Sequence, residues 1–542
     1  MYFPLVIIAT LFGVHFAKVY PGPKFPPTKG AVWPKPQFQR KDGTYYTYVP
    51  SQFNFTILNN TCDILNKAVE RYSFTLRTFA YISRWSKRSV RTPQPNSRNG
   101  TKAKVIKQLE IELTSPCENR PYMGMDESYE LTVNQTSYLK ANSIWGILKG
   151  LESFSHLFYL TDDYTEVRIN STTILDFPRY LHRGLLLDTS RHFISLNKIL
   201  KTLNAMAMNK MNVLHWHIVD DQSFPYQSEK FPELSAKGAF HPSMVYSKAD
   251  IETVIRYATY RGIRVVPEFD APGHTRSWGE AFPNILTQCY EGNKSVSLGP
   301  MDPTKNDTYN ILRELLNEVQ SLFPDEYFHI GGDEVDLNCW LSNPDVIEYI
   351  KQHNVTEDQL HGIFMKNVLP LLKPNSTAIV WQEVFDENVS LNKDVLVQVW
   401  KSADEMINVL NSGHKVLYSA SWYLDHLSEG GDWKSFYDAD PRDMLNGKVN
   451  WSLLSNIVGG EACMWGEVVD DSNVISRVWP RASAVAERLW STTSMHPETF
   501  LPKLIILDTE NRLEEHTCRM KRRGVDAQPP NGAGFCVTSH NE

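Results

Sequence analysis

The dipeptide Asp333-Glu334 is the sequence feature best suited to acid–base chemistry. It directly follows Gly331-Gly332, at the end of an apolar run that is predicted to be a strand. Burial raises the pKa of a carboxyl group and a neighbouring negative charge raises it further, so adjacent carboxyl groups can divide the roles of proton donor and permanent anion. The alternative is a helix N-terminus, where acidic residues are favourable. Asp336 is predicted to cap a helix or to lie on the surface.

Further carboxylates and a histidine follow the two preceding apolar runs. They are Asp220, Asp221, Glu268, Asp270 and His274. His274 comes directly after Pro272-Gly273 and is predicted to orient or tune a nearby carboxyl group. The alternative is a loop histidine that is bonded to the backbone.

His215 and His217 form an HxH pair within one apolar run. Histidines at this spacing share one face of a strand and can ligate a metal ion. The pair lies inside the run rather than at its end and no further ligand set accompanies it, so packing in the core is predicted and a metal site is the alternative. No Cys/His spacing indicates structural zinc, and neither a metal nor another cofactor is predicted.

Aromatic residues recur where the apolar runs end. They are Trp381, Trp400, Trp422, Tyr423 and Trp465. Core packing is the default for any single aromatic residue. Repetition at several strand ends instead indicates rings that stack on the apolar faces of a sugar, while Asp, Glu and Arg bind its hydroxyl groups. Carboxylates with tryptophans, and without a nucleotide-binding loop, predict a glycosidase.

The elements that position these residues are short apolar runs, each ending in polar or aromatic residues. They span residues 183–190, 212–221, 264–270, 327–334, 377–384, 395–401, 415–424 and 456–467. Most are separated by segments long enough for a crossover helix, such as 309–323, and the short gap between the fifth and sixth runs departs most from this pattern. Apolar strands alternating with helices indicate a covered parallel sheet, and eight strands predict an α/β fold with a (β/α)8 TIM barrel. In such barrels, functional residues gather at the C-terminal strand ends.

Several motifs together resemble one enzyme family. They are RGLLLDTSRHF, NVLHWHIVDDQSFPYQS, EFDAPGHT, HIGGDEVD, VWQEVF, SWYLD and GGEACMWGE, in this order. In these motifs the chain is similar to the lysosomal β-N-acetylhexosaminidases, the animal branch of glycoside hydrolase family 20. The resemblance implies hydrolysis of terminal non-reducing N-acetyl-β-D-glucosamine and N-acetyl-β-D-galactosamine from glycoconjugates.

The resemblance also implies a mechanism in which the substrate's own 2-acetamido oxygen attacks the anomeric carbon, with net retention. Glu334 would protonate the leaving oxygen and then deprotonate water. Asp333 would hold the acetamido N–H, and Tyr423 would donate its hydroxyl to the acetamido oxygen. Asp220 and His274 resemble the pair that tunes the acid in this family.

Substrate-binding roles are implied for further positions. Arg191 and Glu467 would bind the 3- and 4-hydroxyls, and Asp425 would bind the 6-hydroxyl. The walls of the pocket would be Trp381, Trp400 and Trp465. A family subunit with Asn-Arg after WYL accepts anionic sugars, whereas Asp425-His426 matches the form that prefers neutral substrates. The segment 290–300 is interpreted as a loop that lacks the Gly-Ser-Glu-Pro stretch of the anionic-substrate form.

The chain is predicted to comprise a signal peptide at 1–17, an N-terminal α/β domain at 18–176, and a catalytic barrel with a C-terminal extension at 177–542. The resemblance implies a zincin-like topology for the N-terminal domain, which has no HExxH and is assigned a supporting role. Alternation predicts a strand within 105–115, and a helix is predicted over 137–158. A homodimer is implied by the resemblance alone.

Composition limits the partners and the compartment. Lys+Arg 55 against Asp+Glu 62 gives a net charge of −7, so there is no basic excess for binding nucleic acid. The apolar run 3–17 fits a secretory signal peptide, and no other stretch is long enough to predict a membrane span. Asn-x-Ser/Thr sequons predict a glycoprotein of the secretory pathway, lysosomal or alternatively secreted. They lie at Asn54, Asn59, Asn99, Asn134, Asn170, Asn293, Asn306, Asn354, Asn375, Asn388 and Asn450.

Seven cysteines in an oxidising compartment predict disulfide bonds and leave at least one thiol over. Cys463, inside the apolar run 457–465, is predicted to be a buried free thiol. The others fall into sequential neighbours, a pairing that the sequence alone does not prove. These neighbours are Cys62 with Cys117, Cys289 with Cys339, and Cys518 with Cys536.

Two other classes of function stay open at this point. A sugar-binding protein on this scaffold would typically have lost the acid or the acetamido clamp, yet Asp333, Glu334 and Tyr423 are all present. A metal-dependent barrel hydrolase would rest on the HxH pair alone. Within the enzyme class, digestion of chitin oligomers by a secreted enzyme competes with lysosomal glycan turnover.

Overall fold

The computed structural model describes residues 28–89, 104–162, 165–357, 359–387, 389–426, 431–492, 502–532 and 536. The signal peptide predicted at 1–17 lies outside these residues, as do Asn99 and Asn388. Over the part of the chain that is described, the search for a helix of sufficient length and apolarity to cross a membrane finds none.

The N-terminal part of the chain forms a mixed sheet with helices packed on it. Its elements are β1 Phe38–Thr47, β2 Asn54–Ile57, α1 Asp63–Ser89, β3 Gln108–Leu113, β4 Tyr129–Val133, β5 Thr136–Ala141, α2 Ile144–His156, β6 Phe158–Leu160 and β7 Val167–Asp176. The strand order is β1-β7-β4-β5-β3-β2, with β6 paired to β7. β2, β3 and β5 run parallel, and the other pairings are antiparallel.

α2 joins this sheet to the rest of the molecule. It begins after Ser143, whose side chain accepts a hydrogen bond from the Gly146 N–H, and all of its residues are buried. On one side α2 contacts β4 and β5. On the other, the Trp145 ring lies against Gly262, in the turn before a strand of the second part.

The helix predicted over 137–158 is only partly correct. Residues up to Ala141 form β5, whose side chains alternate between buried and half-buried, and the helix begins at Ile144. A strand this short cannot be distinguished from the start of a helix by apolar content alone. The strand predicted within 105–115 is confirmed as β3, which has the expected alternating burial.

The remaining strands follow along the chain. They are β8 His182–Asp188, β9 Val213–Val219, β10 Arg264–Phe269, β11 Leu286–Glu291, β12 Lys294–Met301, β13 Tyr327–Gly331, β14 Thr377–Trp381, β15 Leu396–Val399, β16 Lys415–Tyr418 and β17 Ile457–Met464. Among the described residues, β10-β13-β14-β15-β16-β17-β8-β9 close into a parallel barrel. These strands are the apolar runs of the sequence, so the predicted (β/α)8 TIM barrel is confirmed.

Helices cover the outside of the barrel. They are α3 Leu196–Met208, α4 Glu233–Gly238, α5 Lys248–Thr259, α6 Arg276–Gly279, α7 Asn306–Leu322, α8 Leu337–Ser342, α9 Pro344–His353, α10 Gln359–Val368, α11 Glu383–Asp386, α12 Ala403–Asn411, α13 Trp433–Asp438, α14 Val474–Val478, α15 Arg481–Trp490 and α16 Pro502–Arg522. Between β14 and β15, the short helix α11 replaces a full crossover helix. This replacement accounts for the short gap between the fifth and sixth apolar runs.

β11 and β12 form an antiparallel hairpin beside the barrel. The interpretation of 290–300 as a loop is therefore wrong for most of its length, since Glu291 pairs with Lys294 at the tip and β12 continues to Met301. The first residues of β12 are exposed on both faces, which removes the apolar alternation that identifies a strand. A disulfide bond between Cys289 and Cys339 fastens the hairpin to α8.

The other cysteines agree with the neighbour pattern. Cys62 is bonded to Cys117, Cys518 is bonded to Cys536, and Cys463 is a buried free thiol. Sequon asparagines in the described ranges are exposed at positions 54, 59, 134, 293, 306, 354, 375 and 450, and Asn170 is half-buried. Surface exposure is what attachment of a glycan requires.

Paired charges join the sheet to the N-terminal end of the barrel. Glu127 accepts hydrogen bonds from Arg183 at 2.6 and 2.7 Å, and Lys149 lies 3.3 Å from the same carboxylate. Lys210 donates to Asp176 at 2.7 Å. All of these side chains are buried, so each charge depends on its partner for stabilisation.

Candidate active site

The residues singled out in the sequence meet at the C-terminal end of the barrel. Each one ends a strand or follows one directly. Arg191 follows β8, Asp220 follows β9, His274 follows β10, Asp333 and Glu334 follow β13, Trp381 ends β14, Trp400 follows β15, Tyr423 and Asp425 follow β16, and Trp465 and Glu467 follow β17. Contacts between neighbouring members of this set bring their side chains together at that end of the barrel, and we call the region that they surround the pocket.

The carboxylate pair is presented by a turn that requires glycine. Gly331 and Gly332 have φ of 74° and 97°, in the left-handed region that favours glycine. A Cβ on Gly331 would lie 1.7 Å from Oδ1 of Asp270, and that oxygen accepts a hydrogen bond from the Gly332 N–H at 2.8 Å. As a result the Asp333 side chain is 12% exposed inside the pocket, while the Glu334 side chain is 61% exposed at its mouth.

The structure does not place Asp333 and Glu334 at a helix N-terminus, which was the alternative interpretation of this pair. Asp336 caps α8, because its side chain accepts from the Cys339 N–H at 3.2 Å. Asp333 and Glu334 precede that cap and point into the pocket. The capping role predicted for Asp336 is confirmed.

His274 lies between the carboxylates. Its Nδ1 is 3.2 Å from Oδ1 of Asp220, and its Nε2 is 3.5 Å from Glu334 and 3.6 Å from Asp333. The residue has a φ of 57°, an unusual conformation for a side chain with a Cβ. His274 is therefore bonded to carboxylates, and the alternative of a loop histidine bonded to the backbone does not apply.

These contacts set the charges of the group. The hydrogen bond to His274 lowers the pKa of Glu334, whereas burial raises the pKa of Asp333. Burial alone would lower the pKa of His274, but the Asp333 carboxylate and the hydrogen bonds to Asp220 and Glu334 raise it well above its usual value. Burial and the charge of Asp333 raise the pKa of Asp270 well above its usual value. The pKa of the exposed Glu334 carboxyl group is thus lowered, whereas the pKa values of the buried Asp333 and Asp270 carboxyl groups are raised.

Arg191 is held at the edge of the pocket by two carboxylates. It contacts Asp188 at 3.1 Å and Asp220 at 2.8 Å, and its guanidinium lies 5.0 Å from the centre of the Trp465 ring. Burial opposes its charge, yet Asp188, Asp220 and the exposed Glu467 together raise the pKa of Arg191. The guanidinium therefore stays charged and fixed where it faces the pocket.

Aromatic side chains form the walls. Trp381 and Trp465 lie 5.9 Å apart between ring centres, and Trp400 and Tyr423 lie 6.1 Å apart. Burial raises the pKa of Tyr423, so its hydroxyl stays neutral and can donate a hydrogen bond. Trp422 points away from the pocket, and its indole N–H bonds to the Phe436 carbonyl.

Asp425 is half-enclosed next to an exposed histidine. Burial raises the pKa of Asp425, and its Oδ1 is buried without a hydrogen-bond partner in the described structure. Nε2 of His426 is 3.9 Å from Oδ2 of Asp425, and the His426 side chain is 78% exposed. An unpaired carboxylate oxygen is suited to accept a hydrogen bond from a hydroxyl group.

Sequence reasoning missed residues that hold these groups in place. Asp188 binds Arg191 and also accepts from the Gly466 N–H at 2.9 Å. Glu383 accepts from the Trp400 indole N–H at 2.9 Å. Asp188 ends an apolar run as the selected carboxylates do, so its position could have identified it as a site residue. Glu383 lies inside a run, and its position did not distinguish it.

The histidines of the HxH pair are buried in the barrel interior, as predicted. They contact a charged group as well as tryptophan rings: His217 is hydrogen-bonded to Glu268 at 2.6 Å, and His215 lies 2.9 Å from the same carboxylate. Trp216, between them, faces outward and packs on Tyr246.

Groups close enough to hold a metal ion are His215 with Glu268 and His329, Asp220 with Asp221 and His274, and Asp270 with His274 and Asp333. Hydrogen bonds already occupy several of these ligand atoms. The Gly331 N–H, for example, donates to Nδ1 of His329 at 3.0 Å. Contacts among these residues thus account for how close their potential ligand atoms lie to one another.

A parallel barrel whose C-terminal end combines an acidic pair, a bridging imidazole and aromatic walls defines the class of barrel glycosidases. Comparison with known families agrees. Residues 180–493 match the model described as "Glycosyl hydrolase family 20, catalytic domain", and residues 32–157 match the one described as "beta-acetyl hexosaminidase like".

Known proteins are similar over most of the chain. "Beta-hexosaminidase subunit beta" of Felis catus is 44% identical, with 93% of this chain and 94% of that protein covered. "Beta-hexosaminidase subunit alpha" of Bos taurus is 41% identical, with 93% and 95% covered. The X-ray structure of a chitobiase from Flavobacterium johnsoniae superposes with a TM-score of 0.75 at 30% identity, covering 91% of this chain and 73% of that one. The chain belongs to glycosyl hydrolase family 20 and is a glycoside hydrolase, so the resemblance to that family's β-N-acetylhexosaminidases is confirmed.

Proposed function

We propose that this β-hexosaminidase relative removes terminal non-reducing N-acetyl-β-D-glucosamine and N-acetyl-β-D-galactosamine from glycoconjugates, with retention and with the substrate's own 2-acetamido oxygen as the nucleophile. The observation that carries the proposal is the glycine turn after β13. It places one carboxyl group deep in the pocket and one at its mouth, with His274 in reach of both.

Asp333 is suited to hold the acetamido group rather than to attack the sugar itself. Its Oδ1 is buried without a hydrogen-bond partner in the described residues and can accept the acetamido N–H. Because burial raises the pKa of the neighbouring Asp270, Asp333 is the carboxyl group suited to carry negative charge as positive charge develops on the acetamido group. Tyr423, a neutral donor from the next wall, would fix the acetamido oxygen.

Glu334 is suited to protonate the leaving oxygen once a sugar covers it. In the open pocket its pKa is lowered by His274, so it is an anion. A bound sugar would exclude water from this exposed side chain, which raises its pKa, and the adjacent His274 imidazolium can supply the proton. The same carboxylate would then remove a proton from the attacking water.

The proposal includes binding roles for the rest of the pocket. Arg191 and Glu467 would bind the 3- and 4-hydroxyls, Asp425 the 6-hydroxyl, and Trp381, Trp400 and Trp465 would enclose the ring. The unpaired Oδ1 of Asp425 supports the preference for neutral substrates, since a sulfate at that position would meet a carboxylate.

The proposal also covers the cellular compartment and the oligomeric state of the protein. Disulfide bonds and exposed sequons support entry into the secretory pathway, with the lysosome as destination and secretion as the alternative. The domain limits 18–176 and 177–542 and the homodimer are likewise proposed.

Hydrolysis of a chromogenic N-acetyl-β-glucosaminide tests the function. We expect turnover at acid pH by the wild type and loss of at least about a thousandfold in Glu334→Gln, because the amide cannot donate or accept the proton in the same way. The matching β-glucoside, which lacks the acetamido group, should not be hydrolysed, and proton NMR of the first product should show retention. Turnover of the glucoside at a similar rate would contradict the substrate-assisted mechanism.

A further inference from the structure

A row of alternating imidazole and carboxyl groups runs through the barrel interior beneath the pocket. In order from the pocket inward it consists of Asp220, His217, Glu268, His215, Glu461 and His182, and we call it the interior row. The successive distances are 2.9, 2.6, 2.9, 2.7 and 2.6 Å. None of these residues is more than 1% exposed.

Packing does not explain the interior row. Barrels of this kind are usually filled by branched apolar side chains, and replacing buried charges by apolar groups of similar volume is often neutral or stabilising. The strands on either side supply such apolar residues elsewhere in the barrel, for example Val266 and Ile379. A row of ionisable groups therefore needs a functional reason.

Neighbouring groups complete the bonding of the interior row without adding charge to it. The Trp381 indole N–H donates to Glu268 at 2.8 Å, and Gln398 donates to Glu461 at 3.0 Å. His329 lies 3.2 Å from Glu268, but it accepts the Gly331 N–H, and burial lowers the pKa of His329 to about 3. The counter-charges of Glu268 are consequently His215 and His217.

At the end of the interior row that is nearest the pocket, side chains from three segments contact Asp220. Arg191 approaches from the segment after β8 at 2.8 Å, His217 from β9 at 2.9 Å, and His274 from the segment after β10 at 3.2 Å. Glu334 lies beyond His274. Burial alone would raise the pKa of Asp220, but the hydrogen bonds from His217 and His274 keep it well below its usual range.

We propose that Glu268 is a positioning residue for the acid–base chemistry: it keeps His217 charged, and His217 keeps Asp220 ionised and aimed at His274. The inference rests on the proposed function, because it concerns the ionisation of the group that faces Glu334. Without the Glu268 charge, the buried His217 ring loses one of the two carboxylates that contact it, at 2.6 and 2.9 Å, so its pKa falls. Asp220 then takes up a proton more readily in acid and no longer anchors the His274 imidazolium.

The test is the pH profile of kcat/KM on the chromogenic N-acetyl-β-glucosaminide, in the full-length enzyme. Glu268→Gln keeps the size and the hydrogen-bond acceptor of the side chain but removes its charge. We expect the acidic limb of the profile to move to higher pH by about one unit, so that activity at the wild-type limb falls about tenfold. KM should change little, since Glu268 does not line the pocket surface.

Glu127→Gln is the matched control. It makes the same chemical change in a carboxylate that is equally buried and also paired with cations, but at the N-terminal end of the barrel. We expect this variant to lose thermal stability without any shift of the acidic limb. A Glu268→Gln variant that behaves in the same way, with activity reduced equally at every pH, would show a merely structural role and overturn the inference.

His217→Gln provides an independent variant. It should move the acidic limb in the same direction, and the double variant should shift no further than the larger single variant, because both substitutions act through Asp220. Independent, additive shifts would contradict the proposed order of contacts. If neither variant folds, an NMR titration of ¹⁵N-histidine-labelled wild type decides, since a neutral His217 at pH values where the enzyme is active would overturn the inference. Absence of turnover by the wild type would instead overturn the proposed function, and this inference with it.

Discussion

At the scale of single residues, the adjacent carboxyl groups differ in their surroundings rather than in their type. Asp333 is enclosed and burial raises its pKa, whereas Glu334 is exposed and His274 lowers its pKa. The sequence predicted a division of roles between the two carboxyl groups, but not that the pKa of Glu334, the residue proposed as the acid, is the one that is lowered. In the proposed mechanism, binding of a sugar would raise the pKa of Glu334 so that it can protonate the leaving oxygen.

The residue pair at Asp425 and His426 sets a prediction for substrate choice. Replacement by Asn and Arg removes the carboxylate and places a permanent cation beside the proposed 6-hydroxyl position. We expect the ratio of kcat/KM on a 6-sulfated to a neutral N-acetylglucosaminide to rise about tenfold or more, because attraction replaces repulsion at a half-buried site.

A control for net charge accompanies this measurement. Asp42→Asn with Gln52→Arg makes a similar change in charge at exposed positions of the N-terminal sheet. This control should leave the substrate ratio unchanged. An unchanged ratio in the Asp425/His426 variant as well would show that these side chains do not face the substrate's 6-position.

The sequence could identify the residues that touch the pocket but not those that hold them. Asp333, Glu334 and His274 stand at the ends of apolar runs, and barrel topology brings such ends together. The contacts of Asp188 with Arg191 and of Glu383 with Trp400 are between side chains of loops and helix starts. Their geometry depends on the folded loops, which no periodicity in the sequence encodes.

At the scale of elements, the turn after β13 is the part on which the site depends most. Gly331→Ala would place a Cβ 1.7 Å from Asp270 in a backbone conformation of φ 74°. We expect loss of activity and a fall in the free energy of unfolding well beyond the roughly 1 to 2 kcal/mol that a left-handed alanine costs. Thermal unfolding and turnover of the chromogenic substrate measure the two effects.

Gly292→Ala separates the cost of the left-handed backbone conformation from the cost of a steric clash of the added Cβ. Gly292, at the tip of the β11–β12 hairpin, also has a positive φ of 59°, but a Cβ there would meet no atom within 4 Å. This variant should show only the conformational cost and keep full activity. Equal behaviour of the two alanine variants would mean that the contact with Asp270 is relieved by a small shift and does not hold the turn.

Barrel strands were predictable from the sequence because they are buried on both faces and therefore appear as continuous apolar runs. β5 and the β11–β12 hairpin were not predictable from the sequence. β5 leads directly into the fully buried α2, so the two share one apolar stretch, and β12 begins with four exposed residues. Strands at the surface or next to a helix give a weaker pattern than strands inside a barrel.

At the scale of the whole molecule, α16 ties the N-terminal part of the chain to the barrel. Arg523, directly after this helix, contacts Glu152 of α2 at 2.5 Å, and Arg519 on the helix donates to the Ala31 carbonyl at 3.0 Å. His516 of α16 bonds to Asn209, just after α3, at 3.0 Å. The C-terminal helix thus connects segments that are far apart in the chain, through contacts that are buried or partly buried.

His516 makes this junction sensitive to acid. Its Nε2–H donates to Asn209 and its Nδ1 accepts from Arg519 at 3.0 Å, so the folded ring has no place for a second proton. Burial and the neighbouring Arg519 charge hold the pKa of His516 well below its usual value. An unfolded histidine takes up a proton below about pH 6.5, so acidification favours the unfolded state through this residue.

We expect His516→Gln to weaken the acid sensitivity of the whole molecule. Between about pH 7.5 and pH 5, a histidine that is neutral only when folded removes about 2 kcal/mol from the free energy of unfolding, and glutamine does not titrate. The variant should be less stable than the wild type at neutral pH, but the drop in its thermal midpoint on acidification should be smaller. His241→Gln, at an exposed position, should leave that drop unchanged. An equal drop in all three proteins would show that His516 accepts a proton in the folded state, and that the junction made by α16 does not respond to acid through this ring.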